Sequence, residues 1–215
     1  MVVDRTRPAP VRLILATLIA GLCAVAVLAS VSHSSREAFN PGYAKFSLIV
    51  WIHVALGAGY LIFAPFQFVA AIRSRAIGYH RWAGRTLAAI GTLIGTAALF
   101  MSVAIPVAGW PERIVVGSFS IFYLYSLAQG VRAIRAKRIE SHREWMIRAF
   151  AIALAIATTR IIGTAVIALS NDPSLDDLKD VFNASITTAL FLHLAVAEVW
   201  IRSTRQGVVE PARTI

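Results

Sequence analysis

Two similar short segments carry the side chains best suited to chemistry in this chain. The first is His80-Arg81-Trp82-Ala83-Gly84-Arg85, and the second is His142-Arg143-Glu144-Trp145-Met146-Ile147-Arg148. Each sets an imidazole, which can titrate or ligate a metal, beside arginines and a tryptophan. Two imidazoles can clamp a haem iron, arginines can pair with propionates, and tryptophans can flank a flat ring. The segments can form one site only if they lie on the same side of the molecule.

The composition indicates an integral membrane protein. The chain has 215 residues, of which 58% are hydrophobic, and a mean hydropathy of +0.70, which is too apolar for a soluble domain. The formal net charge of +10 would suit nucleic acid, but the charges cluster between apolar runs, as membrane topology requires. Nucleic acid is therefore not an expected partner, whereas the lipid bilayer is. The single cysteine, Cys23, falls inside an apolar run, so we expect a buried thiol and no disulfide within the chain.

Six apolar stretches predict an all-α, six-helix transmembrane bundle with short loops. A hydrocarbon core of ~30 Å needs about 20 residues per helix, and backbone groups in lipid find hydrogen-bond partners only within such helices. The predicted spans are 11–31, 46–72, 83–107, 113–134, 146–169 and 181–201. They give a membrane domain of residues 11–202 between tails 1–10 and 203–215. Pro65 predicts a kink or tilt near the end of the second span.

The distribution of Lys and Arg predicts that both termini lie in the cytoplasm, beneath a bacterial inner membrane. Most basic residues fall in the N-terminal segment, the second and fourth connections and the C-terminal tail. The opposite side holds only Arg36, Lys45, Arg113 and Lys179. The positive-inside rule then makes the richer side cytoplasmic, and both histidine segments lie there. Residues 1–29 can also be read as a signal peptide, but their apolar run is long for one, which favours an uncleaved anchor.

Helical spacing places both imidazoles above faces of small residues. His80 shares a face of the third helix with Gly84 and with Gly91-x-x-x-Gly95, a motif that lets helices approach closely. Such faces either pack tightly or leave room for a flat ligand.

The start of the fifth helix is predicted from the capping box Ser141-x-x-Glu144, which would make His142 its first residue. The partial positive charge of a helix N-terminus favours a neutral His142 and also favours bound anions. His142 shares its face with Ala149, Ala153 and Arg160.

Ionisable residues inside the predicted spans form a second candidate site. Arg160 lies deep in the fifth span, ~20 Å from its cytoplasmic boundary, and His53 on the second helix lies at a similar depth. A charge at that depth is costly, so Arg160 is expected to face the bundle interior with a partner. Gln67 continues the mildly polar stripe of His53. His193 on the sixth helix is a further candidate neighbour.

These residues resemble a bacterial membrane-protein family known as domain of unknown function 2306, over about residues 46–202. The similar positions are His53 with Gly57, Pro65-Phe66-Gln67-Phe68, both histidine segments, Arg160 and Ala197-Glu198. Thr86-Leu87 and His193 depart from the family pattern, which commonly has a tyrosine and an asparagine there. The resemblance implies a fold and a set of residues, but no reaction.

Three classes of function remain open, and the sequence does not decide whether the chain is an enzyme. The first is a redox protein that holds haem b or quinone at His80 and His142, with iron as the metal in the haem version. Its supporting residues would be Arg81, Arg85, Arg143, Arg148, Trp82 and Trp145. The second is a small anion or proton transporter that uses His53 and Arg160, with Gln67 in the same polar cluster. The third is an accessory or scaffold subunit; a membrane redox partner or a homo-oligomer would be the protein partner.

Overall fold

The structure, a computed structural model, describes residues 16–25, 28 and 41–205, and every element in this part of the chain is helical. Five segments there are long and apolar enough to cross a membrane, namely α3 with the 3₁₀ turn that follows it, α5, α6, α7 and α8. The elements are α1 (Ala16–Val25), α2 (Gly42–Lys45), α3 (Ser47–Phe63), a 3₁₀ helix (Ala64–Phe68), α4 (Ala70–Arg75), α5 (Ile77–Ala104), α6 (Trp110–Arg135), α7 (Ile139–Leu169) and α8 (Leu175–Arg205).

The all-α, multi-pass architecture predicted from the sequence is confirmed, and the second to sixth predicted spans each have a counterpart. The first predicted span, 11–31, extends beyond the described residues, and its described part is the short helix α1. The six-helix count, the orientation in the membrane and the bounds of the two tails therefore stay predictions. The break expected at Pro65 is present, because a 3₁₀ turn replaces the α-helix there.

Two helices begin earlier than the sequence predicted. α5 begins at Ile77 and α7 at Ile139, so His80 and His142 lie in first helical turns rather than in connections. The 31 residues of α7 span ~45 Å, which exceeds the ~30 Å hydrocarbon core, so its first turns can lie among the headgroups. The predicted capping box is wrong: the N-cap is Arg138 without a side-chain cap, and Glu144 instead pairs with Arg205 on α8.

Short connections make consecutive long helices antiparallel, which gives the bundle two distinct ends. We call one the basic end; it holds α4, the starts of α5 and α7 and the ends of α6 and α8. The opposite end holds the start of α3 and the turns 105–109 and 170–174. Large apolar side chains such as Trp51, Leu93 and Phe191 are exposed between the two ends. The outer surface is therefore suited to lipid.

Apolar clusters hold the long helices together, and two of them include helix α7 together with two or more other helices. One joins α1, α3, α5 and α7 around Tyr60, Leu87 and Phe150, and it includes Cys23, whose thiol is buried as the sequence predicted. The other joins α6, α7 and α8 around Phe119 and Ala155. Helix α7 contributes to both clusters and is the central helix of the bundle.

The glycine motif on α5 makes the close contact that its sequence predicted. A Cβ atom at Gly91 would lie 2.7 Å from the Tyr123 hydroxyl oxygen. A Cβ atom at Gly95 would lie 2.7 Å from the Tyr123 ring and 2.8 Å from Leu124. Since real Cβ atoms do not approach other atoms so closely, only glycine allows α5 and α6 to pack at this distance.

Candidate functional site

The two predicted histidines lie near each other at the basic end. His142 Nδ1 is 2.8 Å from the carbonyl oxygen of Gly130 on α6. Because a carbonyl only accepts, Nδ1 carries the proton and donates it, and the lone pair of a neutral ring lies on Nε2. The charges of Arg73, His142 and Arg81 all act on His80. His80 therefore lies among basic residues of α4, α5 and α7.

Buried polar atoms without a hydrogen-bond partner in the described structure lie on His80 and on nearby Gln67. Within the described residues, His80 Nδ1 and both polar atoms of the Gln67 amide are buried without a hydrogen-bond partner. Gln67 lies on the 3₁₀ helix and packs against α5 at Gly84, one turn after His80. A Cβ atom added at Gly84 would lie 3.4 Å from Gln67 Oε1. Arg73 lies on α4, just after this 3₁₀ helix, and is half-buried. Its pKa is lowered mainly by burial and also by the positive charge of Arg143. We call Gln67, Arg73 and His80 the basic-end group.

The other residues predicted for this site do not gather around the two histidines. Arg81 and Arg85 are exposed, and the side chain of Trp82 is 67% exposed. Trp145 packs edge-to-face on Tyr125 of α6, with ring centroids 5.4 Å apart, and Arg148 lies over its other side at 4.6 Å. The predicted haem b or quinone site at His80 and His142 stays a prediction. No three His, Cys, Asp or Glu side chains converge as a metal site within the ranges described.

Polar contacts between α7 and α8 involve two of the predicted arginines, Arg143 and Arg148. Arg148 donates two hydrogen bonds to Glu198, at 2.5 and 3.1 Å. Arg143 donates to the Thr204 hydroxyl at 2.8 Å. The ion pair between Glu144 and Arg205 was not predicted from the sequence, because Glu144 also matched a capping box there. These contacts fix the orientation of the first turns of α7 and so the position of His142.

We expect Glu198→Gln to lower the free energy of unfolding by about 2 kcal/mol, because the Arg148 guanidinium would lose a charged, bidentate partner in a mostly buried position. Chemical unfolding in detergent micelles measures the change. Asp176→Asn is the matched control, since its pair with Lys179 is exposed and is worth at most about 0.5 kcal/mol. Equal effects of the two substitutions would show that the Arg148 pair does not stabilise the bundle.

A cavity of about 190 Å³ lies among the five long helices, and none of the basic-end group lines it. His53 of α3 and Arg160 of α7 both line it, together with Tyr60 and Tyr123. Most of the remaining lining is apolar, from Val54, Leu61, Ile94, Val116, Phe119, Ile152, Ile156, Ile186 and Leu190. The structure thus brings together the two intramembrane ionisable residues that the sequence placed at similar depth.

Arg160 brings a positive charge to the wall of this cavity. Within the described part of the chain, its side chain makes no ion pair with Asp or Glu. His53 Nδ1 lies 3.1 Å from the carbonyl oxygen of Ile94, which fixes the proton on Nδ1. The phenol rings of Tyr60 and Tyr123 lie at the far end of the cavity near Gly91, about two helical turns from Arg160.

Two residues considered for this polar cluster lie elsewhere. Gln67 lies next to Gly84 in the basic-end group, and His193 Nε2 forms a 2.7 Å hydrogen bond with the Thr158 hydroxyl. Tyr123 was not singled out from the sequence, because it sits in an ordinary aromatic stretch of α6. The one available signal was the glycine motif on α5, which predicts a close contact but not which residue makes it.

The fold and the lipid-facing surface define a multi-pass helical membrane protein with a largely apolar cavity that Arg160 and His53 line. The chain belongs to the family described as predicted membrane protein (DUF2306), whose model matches residues 50–201. This confirms the family predicted from the histidine segments. Comparison with curated proteins and with solved structures found no match.

Proposed function

We propose that the chain binds a small organic anion in the intramembrane cavity, with Arg160 as its main contact and His53 beside it, as the binding step of an anion transporter. The observation that carries the proposal is the Arg160 charge facing a cavity with no described carboxylate in contact. A charge inside a bundle is costly unless it is paired. An anionic ligand supplies that partner.

The lining of the cavity favours a carboxylate with a small apolar body. Aliphatic side chains and Phe119 cover most of its wall, which suits a hydrocarbon group more than a hydrated halide. The Arg160 guanidinium can hold both oxygens of a carboxylate with two parallel N–H···O bonds. The Tyr60 and Tyr123 phenols can contact a polar substituent at the far end of such a ligand.

His53 offers a way to link anion binding to protons. The Ile94 carbonyl holds one proton on Nδ1, so a second proton on the ring makes it a cation beside the same cavity as Arg160. Two positive charges then attract the anion more strongly than one. Proton-coupled anion movement is the transport mode that this arrangement favours.

The charge distribution supports a direction for this transport. We place the basic end in the cytoplasm of a bacterial cell, with the protein in the inner membrane, because Lys and Arg concentrate there. Arg160 is nine residues from the end of α7, so it then lies ~13 Å from the outer end of that helix. The anion would reach Arg160 from the outer side.

Uptake of radiolabelled benzoate into proteoliposomes tests the function. We expect the full chain to support saturable benzoate uptake that an inward proton gradient accelerates, and Arg160→Ala to remove it. Arg113→Ala is the matched control, because Arg113 is an exposed arginine near the same end of the bundle. Uptake that is equal in protein-free vesicles, or unchanged in Arg160→Ala at equal reconstitution, would contradict the proposal.

A further inference from the structure

Glycines on α3 and α5 differ in what fills the place of their missing side chains. On α5, a Cβ atom at Gly95 would lie 2.7 Å from the Tyr123 ring, so that glycine is required by close packing. On α3, a Cβ atom at Gly57 would meet no atom of the described residues within 4 Å. Glycine in the middle of a helix is less favourable than alanine, and at Gly57 close packing does not account for it.

The open space beside Gly57 belongs to the Arg160 cavity. His53, Gly57, Tyr60 and Leu61 line the cavity from α3, and their spacing places them on one face of that helix. Gly57 lies one turn, ~6 Å, after His53 and about one turn before Tyr60. Side chains on a helix lean towards its N-terminus, so a side chain at position 57 would point back towards His53. The glycine therefore keeps open the part of the cavity between the histidine and the phenol.

We propose that Gly57 sets the size of the ligand in the Arg160 cavity and selects carboxylates whose body is a single six-membered ring. Apolar protein cavities of about 150 Å³ accommodate benzene, and this cavity has about 190 Å³. The volume therefore suits one ring with its carboxylate and leaves no space for a second fused ring. The inference rests on the proposed anion binding and adds to it the residue that selects among carboxylates.

The position of Gly57 corresponds to the body of such a ligand rather than to its charge. With the carboxylate on Arg160 and beside His53, the ring extends along α3 past Gly57 towards Tyr60. A larger side chain at position 57 would enter the volume that the ring needs. Acetate, which has only a methyl group beside its carboxylate, needs much less of that volume. A larger residue at this position should therefore change which carboxylate is bound.

The same substitution at two glycines of α3 tests the assignment. Gly57→Val places a side chain in the cavity. Gly59→Val is the matched control, because Gly59 is not among the described residues that line the cavity and shares its helix face with exposed Ile52 and Ile62. Equilibrium dialysis measures the Kd of labelled benzoate and of labelled acetate for each full-length protein in detergent.

The two variants should differ in selectivity. We expect Gly57→Val to raise the Kd of benzoate at least about tenfold and that of acetate less than about threefold, because only the ring competes with the new side chain. Gly59→Val should change either Kd by less than about twofold. The wild type should bind 2-naphthoate at least about tenfold more weakly than benzoate, because the second ring overfills the cavity.

Thermal unfolding without ligand gives a readout that does not depend on binding. Valine at position 57 fills empty apolar space and gains contacts there, whereas valine at position 59 faces lipid. Both variants change the helix propensity of α3 equally. Gly57→Val should therefore unfold about 2 °C or more above Gly59→Val.

The results distinguish failure of this inference from failure of the proposed function. If the wild type binds neither benzoate nor acetate, the anion function is wrong and the inference falls with it. If benzoate binding depends on Arg160 but is equal in Gly57→Val and Gly59→Val, the function stands and the assignment of Gly57 is wrong. Equal Kd values for 2-naphthoate and benzoate, or loss of acetate together with benzoate in Gly57→Val, would contradict selection by size. A Gly57→Val protein that unfolds below Gly59→Val would show that the position is packed, which would also overturn the inference.

Discussion

Replacing Arg160 with glutamine is expected to weaken benzoate binding about a hundredfold, because a charged bidentate contact in a largely apolar cavity contributes about 3 kcal/mol. The same substitution should raise the unfolding temperature of the ligand-free protein. The reason is that glutamine removes a charge that has no described carboxylate partner. Equilibrium dialysis of labelled benzoate and thermal unfolding in detergent measure the two effects.

The opposite signs of these two effects separate a ligand contact from a structural one. An arginine that holds the bundle together would lower the unfolding temperature when replaced, and binding would fall only as folding fails. Arg160→Lys should lie between the wild type and Arg160→Gln, because lysine keeps the charge but not the planar two-point contact. A destabilised Arg160→Gln protein that still binds benzoate normally would contradict the assignment.

Gly95→Ala is expected to destabilise the bundle by about 1–3 kcal/mol, the usual cost of adding a methyl group to a packed interface. The new Cβ would lie 2.7 Å from the Tyr123 ring and 2.8 Å from Leu124, so α5 and α6 must separate. Tyr123 lines the Arg160 cavity, so this movement should also weaken benzoate binding. Chemical unfolding in micelles and the same dialysis measure both effects.

The control for this substitution is Gly59→Ala on α3. Its Cβ would meet nothing within 4 Å, and alanine is the better helix former by about 1 kcal/mol, so this variant should be neutral or more stable. If Gly95→Ala were equally well tolerated, the close contact between α5 and α6 would not be required by the fold.

The elements of this fold were predictable because hydrophobic length and Pro65 act locally. Apolar stretches long enough to cross the membrane have to be helical, and a proline beyond the first turn removes a backbone hydrogen bond and breaks or kinks the helix there. The close approach at Gly91 and Gly95 was also predictable, because two glycines on one face leave room for a neighbouring helix. The sequence did not predict that α6 would pack there, because Tyr123 has no distinctive sequence context.

The candidate sites were predictable as residue types but not as groups. His53 and Arg160 are separated by more than a hundred residues, and only their similar depth indicated that they could meet. Gln67 shares the stripe of His53 on an ideal helix, but the 3₁₀ turn at Pro65 changes its direction and brings it to Gly84. Glu144 was assigned the wrong role, because a local capping pattern in the sequence does not show the ion pair that Glu144 forms with Arg205 on α8.

The most direct test of the anion site is crystallographic, with 4-bromobenzoate soaked into crystals of the full chain. Anomalous scattering from bromine locates the ligand independently of any assumption about its pose. Our account predicts one bromine inside the cavity, with the carboxylate on Arg160 and the bromine towards Tyr60 and Tyr123, and no such peak in Arg160→Gln crystals. A bromine position outside the cavity, or an equal peak in both proteins, would contradict it.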